Sequence, residues 1–155
     1  MAEPLRFHYE VDGDNFTSAG AASVEVKRKL RQLGFDAETI RRVSIAMYEG
    51  EINMVVHARG GSADVYVDKD QITIILADRG PGIPDIDLAM QEGYSTAPDN
   101  IRALGFGAGM GLPNMKRYTD EMKIDTVLKQ GTTVTMKVYI NGNKQGEKNT
   151  SEPGK

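Results

Sequence analysis

Apolar residues recur at two different spacings along this chain, and the changes of spacing divide it into elements. Leu5–Val11 (LRFHYEV) alternates closely enough for a strand, and the Asp-Gly-Asp-Asn turn ends it. From Ser18 to Leu33 the period lengthens: Ala22, Val26, Leu30 and Leu33 fall at helical spacing, with Gly34 as the terminating residue. Asp36 is placed to cap a second, longer helix that runs to about His57, where Ala-Arg-Gly-Gly closes it. The period then returns to two. ADVYVD (Ala63–Asp68) and QITIILAD (Gln71–Asp78) read as strands joined by a tight turn. A Gly/Pro cluster, DRGPGIPD, follows, and IDLAMQEG suits a short helix. The stretch 94–111 has the character of a long loop, of a length that is usually functional or disordered. LPNMKRYTD reads as a helix, and KIDTVL and TVTMKVYI as two more strands around a KQGT turn. The tail 141–155 is nearly free of apolar residues, so it predicts disorder after a domain spanning residues 5–140.

The resulting order is β-α-α-β-β-(α)-loop-α-β-β. Neighbouring strands with short turns pair antiparallel, and the helices must then cover one face. The expected architecture is an α+β two-layer sandwich with a mixed, mostly antiparallel sheet. Composition narrows the function classes. The 155 residues suit one core, 39% are apolar and 26% charged, and the net charge of -3 gives no electrostatic reason to expect nucleic acid. There are no cysteines, which excludes disulfides and thiolate metal sites. No apolar run reaches membrane-spanning length, and the N-terminal residues lack a signal-peptide core, so a cytoplasmic protein is expected.

The long helix has an uneven distribution of chemistry. At about 100° per residue, Ile40, Val43, Met47 and Met54 form a stripe for the sheet. Ser44, Tyr48 and Glu51 fall on the opposite side and are expected to face solvent. Glu49 and Asn53 are four apart and share a third face with small and apolar neighbours, among them Ala46 and Gly50. A carboxylate beside apolar residues is costly without a partner. A mid-helix glycine costs about 1 kcal/mol relative to alanine. A ligand lying against this face would account for both, with Gly50 giving it room; an exposed Glu–Asn pair is the plainer alternative. His57, one turn further, fits a histidine satisfied near a helix end.

Two further groups carry chemistry. Asp78 ends a strand that has the look of a buried central one, where a carboxylate needs donors; the amine of a purine is one such donor. Gly80 and Gly82 would allow the backbone to approach a flat ring without a Cβ. The same residues also make an ordinary turn. The run GFGAGMGL (Gly105–Leu112) precedes a helix, as phosphate-binding glycine loops do. It fits neither the dinucleotide fingerprint nor the P-loop pattern.

Taken in order, E-x-x-x-N on a helix (Glu49, Asn53), D-x-G-x-G after a strand (Asp78, Gly80, Gly82), a glycine-rich loop opening a helix (Gly107–Gly111) and a late Gly-Thr (Gly131, Thr132) resemble one family. It is the GHKL or Bergerat ATP-binding fold of gyrase, heat-shock chaperones, mismatch-repair ATPases and histidine kinases. Within that family the chain is most similar to the bacterial anti-sigma factor and switch serine/threonine kinases. The resemblance implies ATP and Mg²⁺ as cofactors, with Glu49 as general base and Asn53 as a magnesium ligand. It also implies Asp78, Gly80, Gly82, Ile83 and Thr132 around the adenine, and Gly107, Gly109, Met110, Gly111 and Leu112 around the phosphates. The implied partner is a small regulatory protein carrying a phosphorylatable serine or threonine, with a sigma factor as a further candidate. Neither nucleic acid nor membrane is implied, and a homodimer is left open. The chain departs from the sporulation-type kinases at Phe106-Gly107, where those have a Glu-Arg pair. The alternative reading is a nucleotide-gated binding module with little or no kinase activity.

Overall fold

A computed structural model describes residues 4–13, 19–91 and 111–140. The expected loop with Gly107, Gly109 and Met110, and the tail 141–155, lie outside the described residues. Within them the elements are β1 (Leu5–Asp12), α1 (Ala21–Gln32), α2 (Ala37–Ala58), β2 (Gly60–Val67) and β3 (Gln71–Asp78). Then come α3 (Ile86–Ala89), α4 (Gly111–Arg117), β4 (Glu121–Val127) and β5 (Gly131–Tyr139). The Asp36 side chain accepts from Thr39 N at 3.2 Å and starts α2 as its sequence position predicts. Arg59 in the left-handed conformation ends it.

The five strands form one sheet in the order β1-β2-β3-β5-β4. All four pairings are antiparallel, so the parallel component of the expected mixed sheet is absent among the described strands. Short turns join β2 to β3 and β4 to β5, whereas β5 reaches β3 only after the chain has crossed the helical layer. This crossover places the end of β3 against the start of β5, a neighbourhood that the site uses.

Alternation along the central strands sends Ala63, Val65 and Val67, then Ile72, Ile74 and Leu76, then Val134, Met136 and Val138 to one face. They meet Val43, Met47 and Met54 of α2 and Val26 and Leu30 of α1 in one core. Each large buried side chain contributes about 1.5–3 kcal/mol. The helical layer has α2 in the middle, with α1 packed on one flank and α4 on the other. Arg42 fixes the second flank: its Nε donates to Tyr118 O at 3.2 Å and its Nη2 pairs with Asp120 at 3.2 Å. The predicted sheet-facing stripe of α2 is therefore correct. The predicted solvent face is correct for Tyr48, which is exposed, but not for Glu51, which is buried against α1.

Candidate functional site

Helix α2 brings two carboxylates within one turn, and tertiary packing gives them opposite surroundings. Glu51, expected at the surface, is 2% exposed. Its Oε2 accepts from Gly20 N (2.9 Å) and Ala22 N (3.1 Å), and its Oε1 from Ser23 N (3.1 Å). These are amides of the first turn of α1, whose own N-cap, Gly20, offers no side chain. Glu51 thus caps α1 from the neighbouring helix, where backbone amides and the helix dipole favour an anion. Tyr48 lies against Gly20 on the same flank, and Ser44 Oγ is enclosed without a partner.

Glu49 points to the other flank and is half-buried. Its Oε2 accepts from Asn114 Nδ2 of α4 at 3.0 Å; its Oε1 receives no donor among the described residues. Asn53, one turn on, also faces α4: its Nδ2 lies 3.8 Å from Met115 Sδ, a weak contact. Its Oδ1 likewise has no donor among the described residues. A Cβ on Gly111 would sit 2.8 Å from Asn53 Oδ1 and 2.9 Å from its Nδ2, so a glycine there lets the start of α4 come close to the Asn53 amide. A side-chain amide oxygen is a hard ligand of the kind Mg²⁺ takes, and that ion keeps several waters and needs few protein ligands. No cluster of three His, Cys, Asp or Glu that could hold a metal exists among the described residues.

Gly50 has a different cause from the one expected. A Cβ there would overlap Leu76 Cδ1 of β3 and lie 3.1 Å from Met115 Cε of α4. The glycine lets α2 settle onto the sheet and α4 onto α2, rather than making room for a ligand. In the turn after β3 the glycines also have close protein neighbours. A Cβ on Gly80 would stand 2.5 Å from Ala58 Cβ, and one on Gly82 (φ 83°) 2.9 Å from Leu128 Cα. Both glycines are required first by neighbouring protein, the end of α2 and the β4–β5 turn.

Asp78 itself is placed as predicted, at the end of a central strand and half-buried. Its Oδ1 accepts from Gly80 N and Thr132 N, each at 2.9 Å, and its Oδ2 has no donor among the described residues. Thr132 is buried beside it; its hydroxyl meets Thr126 Oγ1 at 2.9 Å, and Thr126 Oγ1 accepts from Ile83 N at 2.8 Å. Asp78, Gly80, Ile83, Thr126 and Thr132 are thus one hydrogen-bonded group that joins the turn after β3 to β4 and β5, and Gly82 lies against Leu128 beside it. The group lies beside the last turn of α2, roughly 13 Å along the helix from Glu49 at 1.5 Å per residue. His57, near the end of α2, has its pKa lowered by burial, with the Asp78 charge opposing. His8 is remote in a different sense: it lies on β1 between Asp64 and Glu10, both at 2.8 Å.

Gly111 and Leu112 open α4, and Leu112 packs on the core. Sequence reasoning missed Asn114, Thr126 and Glu51. The Asn114–Arg117 spacing of three on a helix was the available signal for the first. Nothing local marks Thr126, which acts through a cross-strand neighbour.

With this geometry described, comparison with known proteins decides the family. A family model for the histidine kinase-like ATPase domain matches residues 15–138. This chain belongs to that family. Among its relatives is the serine/threonine-protein kinase RsbT of Bacillus subtilis, 33% identical over 108 residues, covering 67% of this chain and 75% of RsbT. The anti-sigma F factor of Clostridium novyi is 35% identical over 123 residues, covering 75% and 82%. A crystal structure of the RsbU and RsbW domains of a Mycobacterium tuberculosis protein superposes with a TM-score of 0.61 at 17% identity, covering 88% of this chain. That likeness concerns the fold, and this chain spans about a third of that protein's length (32%). The histidine kinase-like ATPase fold thus agrees with the α+β sandwich read from the pattern. Among the described residues, no helix is long and apolar enough to cross a membrane.

Proposed function

We propose that this chain is an ATP-dependent protein serine/threonine kinase of the anti-sigma, partner-switching type. It would phosphorylate a hydroxyl of a small regulatory partner protein in the cytoplasm. The observation that carries the reading is the state of Glu49. One carboxylate oxygen is anchored by Asn114 and the other has no donor among the described residues, on the same helix face as Asn53. In a member of an ATPase family, an anchored carboxylate with one available oxygen is what proton abstraction requires. Similarity to RsbT and to anti-sigma F factors supports both the activity and the class of partner.

In this reading the adenine amine donates to Asp78 Oδ2, while Gly80 N and Thr132 N keep the carboxylate oriented through Oδ1. Ile83 and Gly82 lie alongside. Gly107, Gly109, Met110, Gly111 and Leu112 supply backbone N–H groups toward the phosphates. Asn53 would hold Mg²⁺ through its side-chain oxygen, and the ion would supply charge neutralisation at the phosphate oxygens. Glu49 takes the proton from the acceptor hydroxyl as its oxygen bonds to the γ-phosphorus; the bond to the bridging oxygen breaks and ADP leaves. Most of the catalysis is positioning and charge stabilisation, with general base assistance of about 10²–10⁴-fold.

The test is recovery of partners with and without Mg-ATP, followed by transfer from γ-labelled ATP to the proteins recovered. Labelled serine or threonine on a partner, lost in Glu49→Gln while ATP still binds, is the expected outcome. Nucleotide-dependent complexes without any transfer would instead mark a nucleotide-gated binding module.

A further inference from the structure

Helix α4 contributes more than a wall beside Glu49. Asn114 Nδ2 donates to Glu49 Oε2 at 3.0 Å, and Arg117 Nη1 donates to Asn114 Oδ1 at 3.1 Å. An amide side chain can present either its donor or its acceptor to a given neighbour. Here the guanidinium settles which: it claims the oxygen and leaves the NH₂ for the carboxylate. An amide flipped the other way would set oxygen against Glu49 and NH₂ against Arg117, which are two repulsive contacts. Asn114 and Arg117 are three residues apart on the same short helix, so their side chains are neighbours on one face. Arg42 holds the end of that helix through Tyr118 O and Asp120, which fixes α4 relative to α2.

We propose that Asn114, oriented by Arg117, is a positioning residue for the phosphoryl-transfer step. It holds one oxygen of Glu49, fixes the carboxylate rotamer and leaves Oε1 as the oxygen presented to the attacking hydroxyl. The proposal rests on Glu49 being the general base. Positioning of this kind matters because a reacting group misplaced by about 1 Å costs on the order of 10²-fold in rate. Asn114 touches neither nucleotide nor acceptor in this scheme, so its loss acts on the rate and not on binding.

The experiment compares the full chain with Asn114→Ala, Asn114→Asp and Arg117→Met, alone and in a Glu49→Gln background. Water serves as the acceptor probe: phosphate release from Mg-ATP is measured in single turnovers, and ATP affinity by titration. For Asn114→Ala the rate should fall roughly tenfold, with ATP affinity within about twofold. Asn114→Asp should fall further, since a carboxylate then faces Glu49, and Arg117→Met should fall less than either. In the Glu49→Gln background Asn114→Ala should add nothing, because the group it positions is gone. A full additional loss there overturns the proposal and marks Asn114 as merely structural. An unchanged rate in Asn114→Ala also overturns it. If Glu49→Gln releases phosphate at the parent rate, or the parent releases none, the base assignment fails first and this inference with it.

Discussion

Glu49 and Glu51 stand two residues apart on one helix, and their surroundings have little in common. Glu51 is sealed under α1 with both oxygens accepting backbone amides. Glu49 faces α4 with one oxygen held by a side-chain amide and one open. A buried carboxylate with both oxygens held by backbone amides is a structural anion: its orientation is fixed and it is almost wholly withdrawn from solvent. A carboxylate satisfied on one side only can still accept a proton. The comparison teaches that hydrogen-bond saturation, rather than residue type or spacing, separates a structural acid from a candidate catalytic one.

The largest expected effect tests the open member. Glu49→Gln should slow phosphate transfer by about 10²–10⁴-fold, with ATP affinity and unfolding midpoint near those of the parent. Transfer at an undiminished rate would erase the contrast. The saturated member should respond in the other observable. Glu51→Ala strands three amides at the start of α1 and should cost about 3 kcal/mol in a urea titration. Transfer per folded molecule should be kept; selective loss of transfer without loss of stability would reverse the two roles.

Asp78 is intermediate, with Oδ1 saturated and Oδ2 open. Asp78→Asn can keep the two amide bonds through its carbonyl while turning an NH₂ toward the adenine amine. ATP affinity should drop by about 10–100-fold, measured by titration, with a smaller effect on stability. Unaltered affinity would mean that the purine lies elsewhere. Gly50→Ala separates packing from ligand space on the same helix. It should destabilise by about 1 kcal/mol despite alanine's better helix propensity, because the new methyl meets Leu76 and Met115. Weaker ATP binding with unchanged stability would restore the view that Gly50 makes room for a ligand.

The smallest effect comes from His57. Burial lowers its pKa in the fold below its ordinary 6.5, so between those two values the unfolded chain binds more protons. Stability should therefore be intact above about pH 6.5 and decline as pH falls through the window below it. His57→Gln should flatten that part of the stability–pH curve in denaturant titrations. An unchanged slope would show that the acid sensitivity arises from other groups.

Much of this protein was legible in one sequence because much of it is periodic. The alternation in Gln71–Asp78 and Thr133–Ile140 placed central strands, and Asp36 capped α2 where its side chain could reach Thr39 N. The ordered motifs at Glu49, Asn53, Asp78 and Gly131-Thr132 pointed to the ATPase family that the comparisons then showed. The errors have one source. Glu51 and the Ser44 hydroxyl were assigned to solvent because helical periodicity locates the sheet-facing stripe and treats what lies opposite as surface, which holds here only for Tyr48. It contains no information about a second helix covering that side. Gly50 was assigned to a ligand for a similar reason: a missing Cβ is visible in sequence, but the atom that excludes it is not.

By itself, then, the sequence determined the local elements, the stripe that faces the core and the order of the motifs, all of which follow from propensities and periods within a few turns of chain. Only the tertiary structure decided that Thr132 N and Gly80 N share one oxygen of Asp78, that Asn114 reaches Glu49, and that Glu51 caps α1. Those contacts join residues up to 65 positions apart. They depend on strand order and helix docking, which arise from the packing of the whole core rather than from any local preference.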